Sequence, residues 1–172
     1  MRHLFVIVDT SGSMTVEGRV LGGQVNDLVR DLLAHVKNAA ASITMVTYAD
    51  IPRMYWTSFA KETYEDIPQG EFGGRSNLGK AYVFVKDIMS SQQILPSQAC
   101  LVLISDGEAT DDYENALKLL DPNGETTRVA GGIGTGMDTL EDHVLSPDLI
   151  FTNVTSLEAR DEFFDEILLN LK

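Results

Sequence analysis

The sequence predicts an α/β fold: a mostly parallel central sheet with helices on both faces and one antiparallel edge strand. Three observations carry this. Short β-branched apolar runs alternate along the chain with segments of helical period. Several runs, Leu4–Val8 and Cys100–Ser105 among them, are solidly apolar, as strands covered on both faces must be. Pro52 stands just before Arg53–Thr57, and a residue without an N–H suits an edge.

Leu4–Val8 is the first predicted strand. From Val20 to Val36, the apolar residues Val20, Leu21, Val25, Leu28, Val29, Leu32, Leu33 and Val36 fall at helical spacing. That leaves Asn26, Asp27, Arg30 and Asp31 for solvent. Ile43–Tyr48 is the next strand, and Lys61–Arg75 is a polar, glycine-bearing connection. Leu78, Ala81, Tyr82, Val85, Ile88 and Met89 mark a second helix, followed by the strand Cys100–Ser105. A helix over Asp112–Leu120 begins with Asp111 and Glu114 at capping-box spacing. Thr127–Ile133 and Asp148–Val154 read as strands. A last helix opens with Thr155 and Glu158 and buries Leu157, Phe163, Phe164, Ile167, Leu168 and Leu171.

At about 100–200 residues per domain, 172 residues make one domain, 1–172. Thirteen Lys+Arg against 26 Asp+Glu give a net charge of −13. That balance argues against nucleic acid and against anionic lipid, both of which need a basic surface. The lone Cys100 allows no internal disulfide and no thiolate cluster, and reads as a small buried apolar residue. No apolar run approaches a membrane span. The opening apolar stretch meets Asp9 too early for a signal peptide, whose core needs about 7–15 residues. A cytoplasmic protein, monomeric when free, is the expectation.

In open parallel sheets, ligands bind where strands end and loops lead into helices. Three loops at such places carry oxygen donors: Asp9-Thr10-Ser11-Gly12-Ser13, Gly73-Gly74-Arg75-Ser76, and Asp106-Gly107-Glu108. In an extended segment every second side chain faces one way, so Asp9, Ser11 and Ser13 can converge. Oxygen donors without nitrogen or sulfur suit a hard cation, Mg²⁺ ahead of Mn²⁺ or Ca²⁺. Ser76 and Asp106 would complete a sparse set with an open coordination position. Each piece alone has a plainer reading: a turn at Asp9 and Ser11, an Asp-Gly turn at Asp106, and a helix N-cap at Ser76. Their conjunction at three strand ends points to the metal.

This combination resembles the von Willebrand factor type A domain and its metal-ion-dependent adhesion site. The resemblance runs along nearly the whole chain: D-x-S-x-S at Asp9, Ser11 and Ser13, a glycine-led middle motif over Gly73–Ala81, and a strand ending in Asp-Gly over Leu101–Gly107. Among members of that family it is most similar to small stand-alone bacterial or phage proteins of the tellurium-resistance type. The resemblance implies a Rossmann-like fold and a divalent ion held by Ser11, Ser13 and Ser76, with Asp9 and Asp106 acting directly or through water. It implies a partner protein offering an Asp or Glu to the ion, and, in some members, movement of the last helix. Ser76 stands where the family usually has Thr, and Arg75 intrudes before it; a solvated loop arginine is the reading adopted. Thr15 and Val16 offer no acidic ligand for a second ion.

Two other functions have motifs to argue from. Gly74–Lys80 fits a phosphate-binding G-x-x-x-x-G-K loop with Asp106 on a following strand, but Ala81 replaces the hydroxyl that would hold Mg²⁺. Gly131–Gly136 lies too late in the chain for a dinucleotide loop, and the resemblance explains it better as a loop after a strand. Arg19 and Val20 occupy the region where an EF-hand needs its glutamate. A Mg²⁺-dependent phosphoryl-transfer enzyme would use Asp9 as nucleophile. No histidine is placed to serve it: His3 heads a strand, His35 is on a helix, and His143 reads as solvated. A non-enzymatic, cation-dependent interaction module is the reading that absorbs most of the motifs.

Overall fold

The computed structural model describes residues 1–16, 19–20, 22–58, 63–134 and 138–172. In chain order the strands are β1 (His3–Asp9), β2 (Thr15–Val16), β3 (Arg19–Val20), β4 (Ser42–Tyr48), β5 (Pro52–Thr57), β6 (Ala99–Ser105), β7 (Thr127–Gly132) and β8 (Ile150–Phe151). The helices are α1 (Gly22–Val36), α2 (Leu78–Ser91), α3 (Tyr113–Leu120), α4 (Asp138–His143) and α5 (Leu157–Leu171). Six strands form one sheet in the order β5-β4-β1-β6-β7-β8. All neighbours run parallel except β4 and β5, so the expected antiparallel edge is β5. β2 and β3 form a separate antiparallel pair.

Alternation along the central strands divides the core in two. Leu4, Val6 and Val8 of β1, with Cys100, Val102 and Ile104 of β6, face α1 and α5. Phe5 and Ile7, with Leu101 and Leu103, face α2, α3 and α4. Both sets are buried, which is why these strands read as unbroken apolar runs.

Several sequence expectations need correction. α1 starts at Gly22; Val20 belongs to β3 instead, and Leu21 lies outside the described residues, as do Lys61, Thr135 and Gly136. Asn26 is buried, not solvated: its side chain donates to the Ile67 carbonyl at 2.9 Å and accepts from the Ile67 N–H at 2.8 Å. It fastens the 63–71 connection to α1, a contact between distant segments that helical period cannot show. The true N-caps are Asp112 and Ser156, each one residue after the expected Asp111 and Thr155. Leu157 is exposed on the first turn of α5. The strand expected over Asp148–Val154 is only Ile150–Phe151, although Val154 is buried.

His143 is the largest reversal. It ends α4, a helix the sequence reading did not place, and is fully buried. Its Nε2 lies 3.3 Å from the Leu101 carbonyl, which only accepts, so Nε2 carries the proton. Nδ1 then accepts from the Tyr82 hydroxyl at 2.6 Å. Burial holds the imidazole neutral, its pKa pushed down to about 3. It is a packed core histidine.

Gly131 and Gly132 lie in β7 rather than in a ligand loop. A Cβ on Gly131 would stand 2.7 Å from Cζ of Phe163, a ring fixed between α5 and the sheet. Gly131→Ala is therefore expected to overpack this face and lower the unfolding free energy by about 1–3 kcal/mol, measurable by urea denaturation.

Candidate functional site

Parallel pairing places the C-terminal ends of β1, β4 and β6 side by side. Asp9 is in register with Tyr48, and Val8 with Ile104, which sets Ser105 beside Asp9. Continuing the alternation of Phe5 and Ile7, of Val46, and of Leu101 and Leu103, the side chains of Asp9, Tyr48 and Ser105 sit at the top of the α2–α3–α4 face. All three are buried.

The Asp9 carboxylate is the hub. Its Oδ1 accepts from the Ser11 N–H at 2.8 Å. Its Oδ2 accepts from the Ser105 hydroxyl at 2.8 Å and from the Ser76 hydroxyl at 3.1 Å. The hydroxyls of Ser11 and Ser13 stand 2.9 Å apart, the first buried and the second exposed. Asp106 is half-buried and close enough for its charge to act on Asp9, while its Oδ1 accepts from the Glu108 N–H at 3.2 Å. The five residues expected from sequence thus gather at one sheet edge, with Asp106 contributing charge rather than a hydrogen bond to the others. Ser76 does not cap α2.

That cap comes from elsewhere. The N–H groups of Gly79 and Lys80 donate to Asp111 at 2.8 and 3.1 Å, an arrangement typically worth about 0.5–2 kcal/mol. The neighbouring Asn77, in the N-cap position, makes no side-chain cap bond. Asp111 therefore occupies the N–H groups that a phosphate would need at this helix end. No strand leads into Gly74, because a 3-10 turn, Gln69–Glu71, precedes it. The phosphate-loop alternative lacks both its strand and its free amides.

The three loops are stitched by backbone contacts that the sequence reading missed. Gly73 N–H donates to the Thr10 carbonyl at 2.8 Å, and Gly12 N–H to the Gly74 carbonyl at 2.9 Å. Thr110 N–H donates to the Ser76 carbonyl at 2.8 Å. Gly74 has φ +81°, and a Cβ there would lie 2.4 Å from the Asp50 carboxylate, which itself accepts from the Arg75 N–H. Glycine is required at that position. The Arg75 side chain is exposed, as expected of a loop arginine. On the third loop, the Thr139 hydroxyl of α4 donates to the Gly107 carbonyl at 2.6 Å.

Ser105 and Tyr48 were also missed, although Ser105 sits next to the Asp-Gly turn on the face shared with Asp9. The Tyr48 hydroxyl is near Asp9, Ser76 and Ser105 but meets hydrogen-bond geometry with none of the described residues. Burial, and then the Asp9 charge, push its pKa well up.

Burial raises the Asp9 pKa from 3.8 to about 6; the nearby Asp106 charge adds to this, and hydrogen bonds from Ser11 and Ser105 oppose it. Among the described residues no Lys, Arg or His forms an ion pair with Asp9. No cluster of three His, Cys, Asp or Glu able to hold a metal occurs among them either. The candidate set is two carboxylates and three hydroxyls. The Ser11 and Ser13 oxygens stand at hydrogen-bond distance, 2.9 Å apart, close enough together to serve one hard cation, which takes oxygen ligands. The donor set fits a hard cation.

Among known families, the profile of the von Willebrand factor type A domain matches residues 4–109. No curated protein sequence matches the chain. Among solved structures, proximal thread matrix protein 1 of the mussel byssus superposes with a TM-score of 0.75 at 17% identity, covering 98% of this chain and 47% of that one. This chain therefore spans about half of the mussel protein. An aerotolerance-related membrane protein of Bacteroides fragilis gives 0.69 at 16% identity, covering 99% and 98%. A manganese-loaded Plasmodium vivax TRAP protein gives 0.61 at 12%, covering 95% and 73%. At these identities the likeness is one of fold.

Because the folded pKa of Asp9 lies above its ordinary value, stability falls as pH rises from about 4 to about 6. The penalty is complete above that range. In chelator at neutral pH, Asp9→Asn is expected to be more stable than the parent by about 1–3 kcal/mol, a gain that shrinks towards pH 4 in urea titrations. Tyr48→Phe, which removes a buried hydroxyl without a partner, is expected to raise the unfolding free energy by about 1 kcal/mol in the same assay.

Proposed function

The chain belongs to the von Willebrand factor type A domain family, whose domains commonly mediate protein–protein interaction and are generally not enzymes, and from that membership we propose a cation-dependent interaction module. Among the described residues no helix is long and apolar enough to cross a membrane. The observation that supports the metal is the buried Asp9 carboxylate, which no cation among the described residues pairs with, met by two serine hydroxyls at the open sheet edge. A buried carboxylate is costly unless a cation compensates it. Ser11, Ser13 and Ser76 are the proposed direct ligands, with Asp9 and Asp106 direct or through water.

A bound Mg²⁺, or Mn²⁺ or Ca²⁺ in its place, would supply an electrophilic face. Hydroxyl ligands leave most of its charge unneutralised, and exposed Ser13 marks the side open to a partner's Asp or Glu. The role of the protein here is orientation. Ser105 and the Ser11 N–H hold the Asp9 carboxylate still, the Gly73–Ser76 loop is fastened to Thr10 and Asp50, and Thr139 holds the Asp106–Gly107 turn. The manganese in the Plasmodium protein supports the choice of cation class. The resemblance to stand-alone bacterial and phage proteins makes stress and tellurium-resistance systems the first place to look for the partner.

Asp9→Ala, Ser11→Ala and Asp106→Ala are expected to abolish Mn²⁺ binding, followed by electron paramagnetic resonance, while far-UV circular dichroism stays native. Partner proteins captured on the parent in Mg²⁺ should be lost in chelator and on all three variants. Capture that survives chelation would overturn the proposal.

A further inference from the structure

On the same sheet face, far from Asp9, a guanidinium is buried that no described residue hydrogen-bonds, its ion-pair partner Asp121 standing beyond hydrogen-bond reach. Arg128 of β7 is in register with Leu101 of β6, which pairs with Phe5 of β1. It lies four residues before Asp9 in that register, about 13 Å along the strand direction. Its side chain is 7% exposed. Nε is buried without a partner, and among the described residues no hydrogen bond reaches the other guanidinium nitrogens. The nearest carboxylate, Asp121, stands 3.7 Å from Nη2. Its oxygens already accept from the Glu125 N–H, the Thr126 N–H and the Thr126 hydroxyl.

A shielded charge with unmet donors is costly unless something supplies acceptors. Arg128 lines a cleft of about 350 Å³ beside α3, together with Asp121, Lys118, Leu117, Leu145, Glu114 and Asp142, a volume within the range of small-molecule sites. Leu117 and Leu145 give it apolar surface. Glu114 and Asp142 are exposed, and Asp142 also accepts from the Tyr113 hydroxyl. An anion alone would meet the carboxylates of Glu114, Asp142 and Asp121, and a cation alone would meet Arg128 and Lys118. A ligand with both charges and a short aliphatic body satisfies all of them.

We propose that this cleft binds a small zwitterion of the α-amino-acid class, its carboxylate on Arg128 and its ammonium towards Glu114 and Asp142. The site is separate from the metal edge, does not rest on the metal reading, and operates in chelator. Arg160 provides an internal contrast. Its Nε is likewise buried without a partner, but its Nη1 donates to Asp31 at 2.6 Å and its Nη2 to the Thr155 carbonyl.

The test is titration of the full chain with L-leucine in chelator, following arginine Nε–Hε resonances by NMR. The Arg128 signal, assigned by its loss in Arg128→Met, is expected to shift saturably in the low millimolar range while the Arg160 signal stays still. L-leucinamide, which lacks the carboxylate, should leave both unmoved. Arg128→Met replaces the guanidinium by an apolar chain of similar length, leaves the buried Asp121 carboxylate without its ion-pair partner and so lowers stability, and where it folds should weaken leucine binding at least tenfold, read from backbone amides around the cleft. If the variant does not fold, the Arg128 signal is assigned on the parent by through-bond correlation from its backbone amide, and the leucine–leucinamide comparison there decides. An Arg128 signal that does not saturate with leucine, or that moves equally with leucinamide, overturns the assignment.

Discussion

The carboxylate of Asp9, taken out of water at the end of the central strand, is the constraint around which this molecule is arranged. An isolated buried carboxylate would take up a proton or disrupt its surroundings. Here one backbone N–H and two serine hydroxyls converge on it from three segments of the chain. They offset part of its desolvation, and among the described residues no cation pairs with it; burial, with the nearby Asp106 charge, keeps its pKa high.

Holding that arrangement takes carboxylates that never touch the centre. Asp111 caps α2, the helix that follows Ser76, and Asp50 closes against the left-handed Gly74. Asp121 folds the turn between α3 and β7 onto itself through Glu125 and Thr126. The acidic excess is therefore not only solvated surface. Several acids serve as acceptors for loop amides, the backbone groups that strands and helices leave unpaired.

The same distinction separates the residues that were legible in the chain from those that were not. The runs around β1 and β6 and the amphipathic face of α1 from Val25 onward are local patterns, and each led to the right element; the Asp9–Ser11–Ser13 spacing is local too, and lies where β1 ends. Asn26, His143 and Arg128 are polar residues whose fate depends on distant partners: Ile67, Tyr82 and Leu101, and the wall of α3. Periodicity assigns such residues to solvent by default, because a buried polar group is affordable only when its partner arrives, and the partner lies far along the sequence. The capping residues slipped by one for a related reason: Asp111 and Asp112 both carry the right chemistry, and only the path of the chain decides which of them caps its own helix.

The sequence by itself determined the alternation of buried strands and helices, and it determined the oxygen-rich chemistry of the strand ends, because both follow from side-chain type and spacing within a few residues. Tertiary structure alone decided which hydroxyls reach Asp9, that Ser105 and Tyr48 join them, that Asp111 rather than Ser76 caps α2, and that Gly131 makes room for Phe163. Those outcomes depend on strand order and register, which bring together residues up to 96 positions apart; no local rule of propensity or period carries that information.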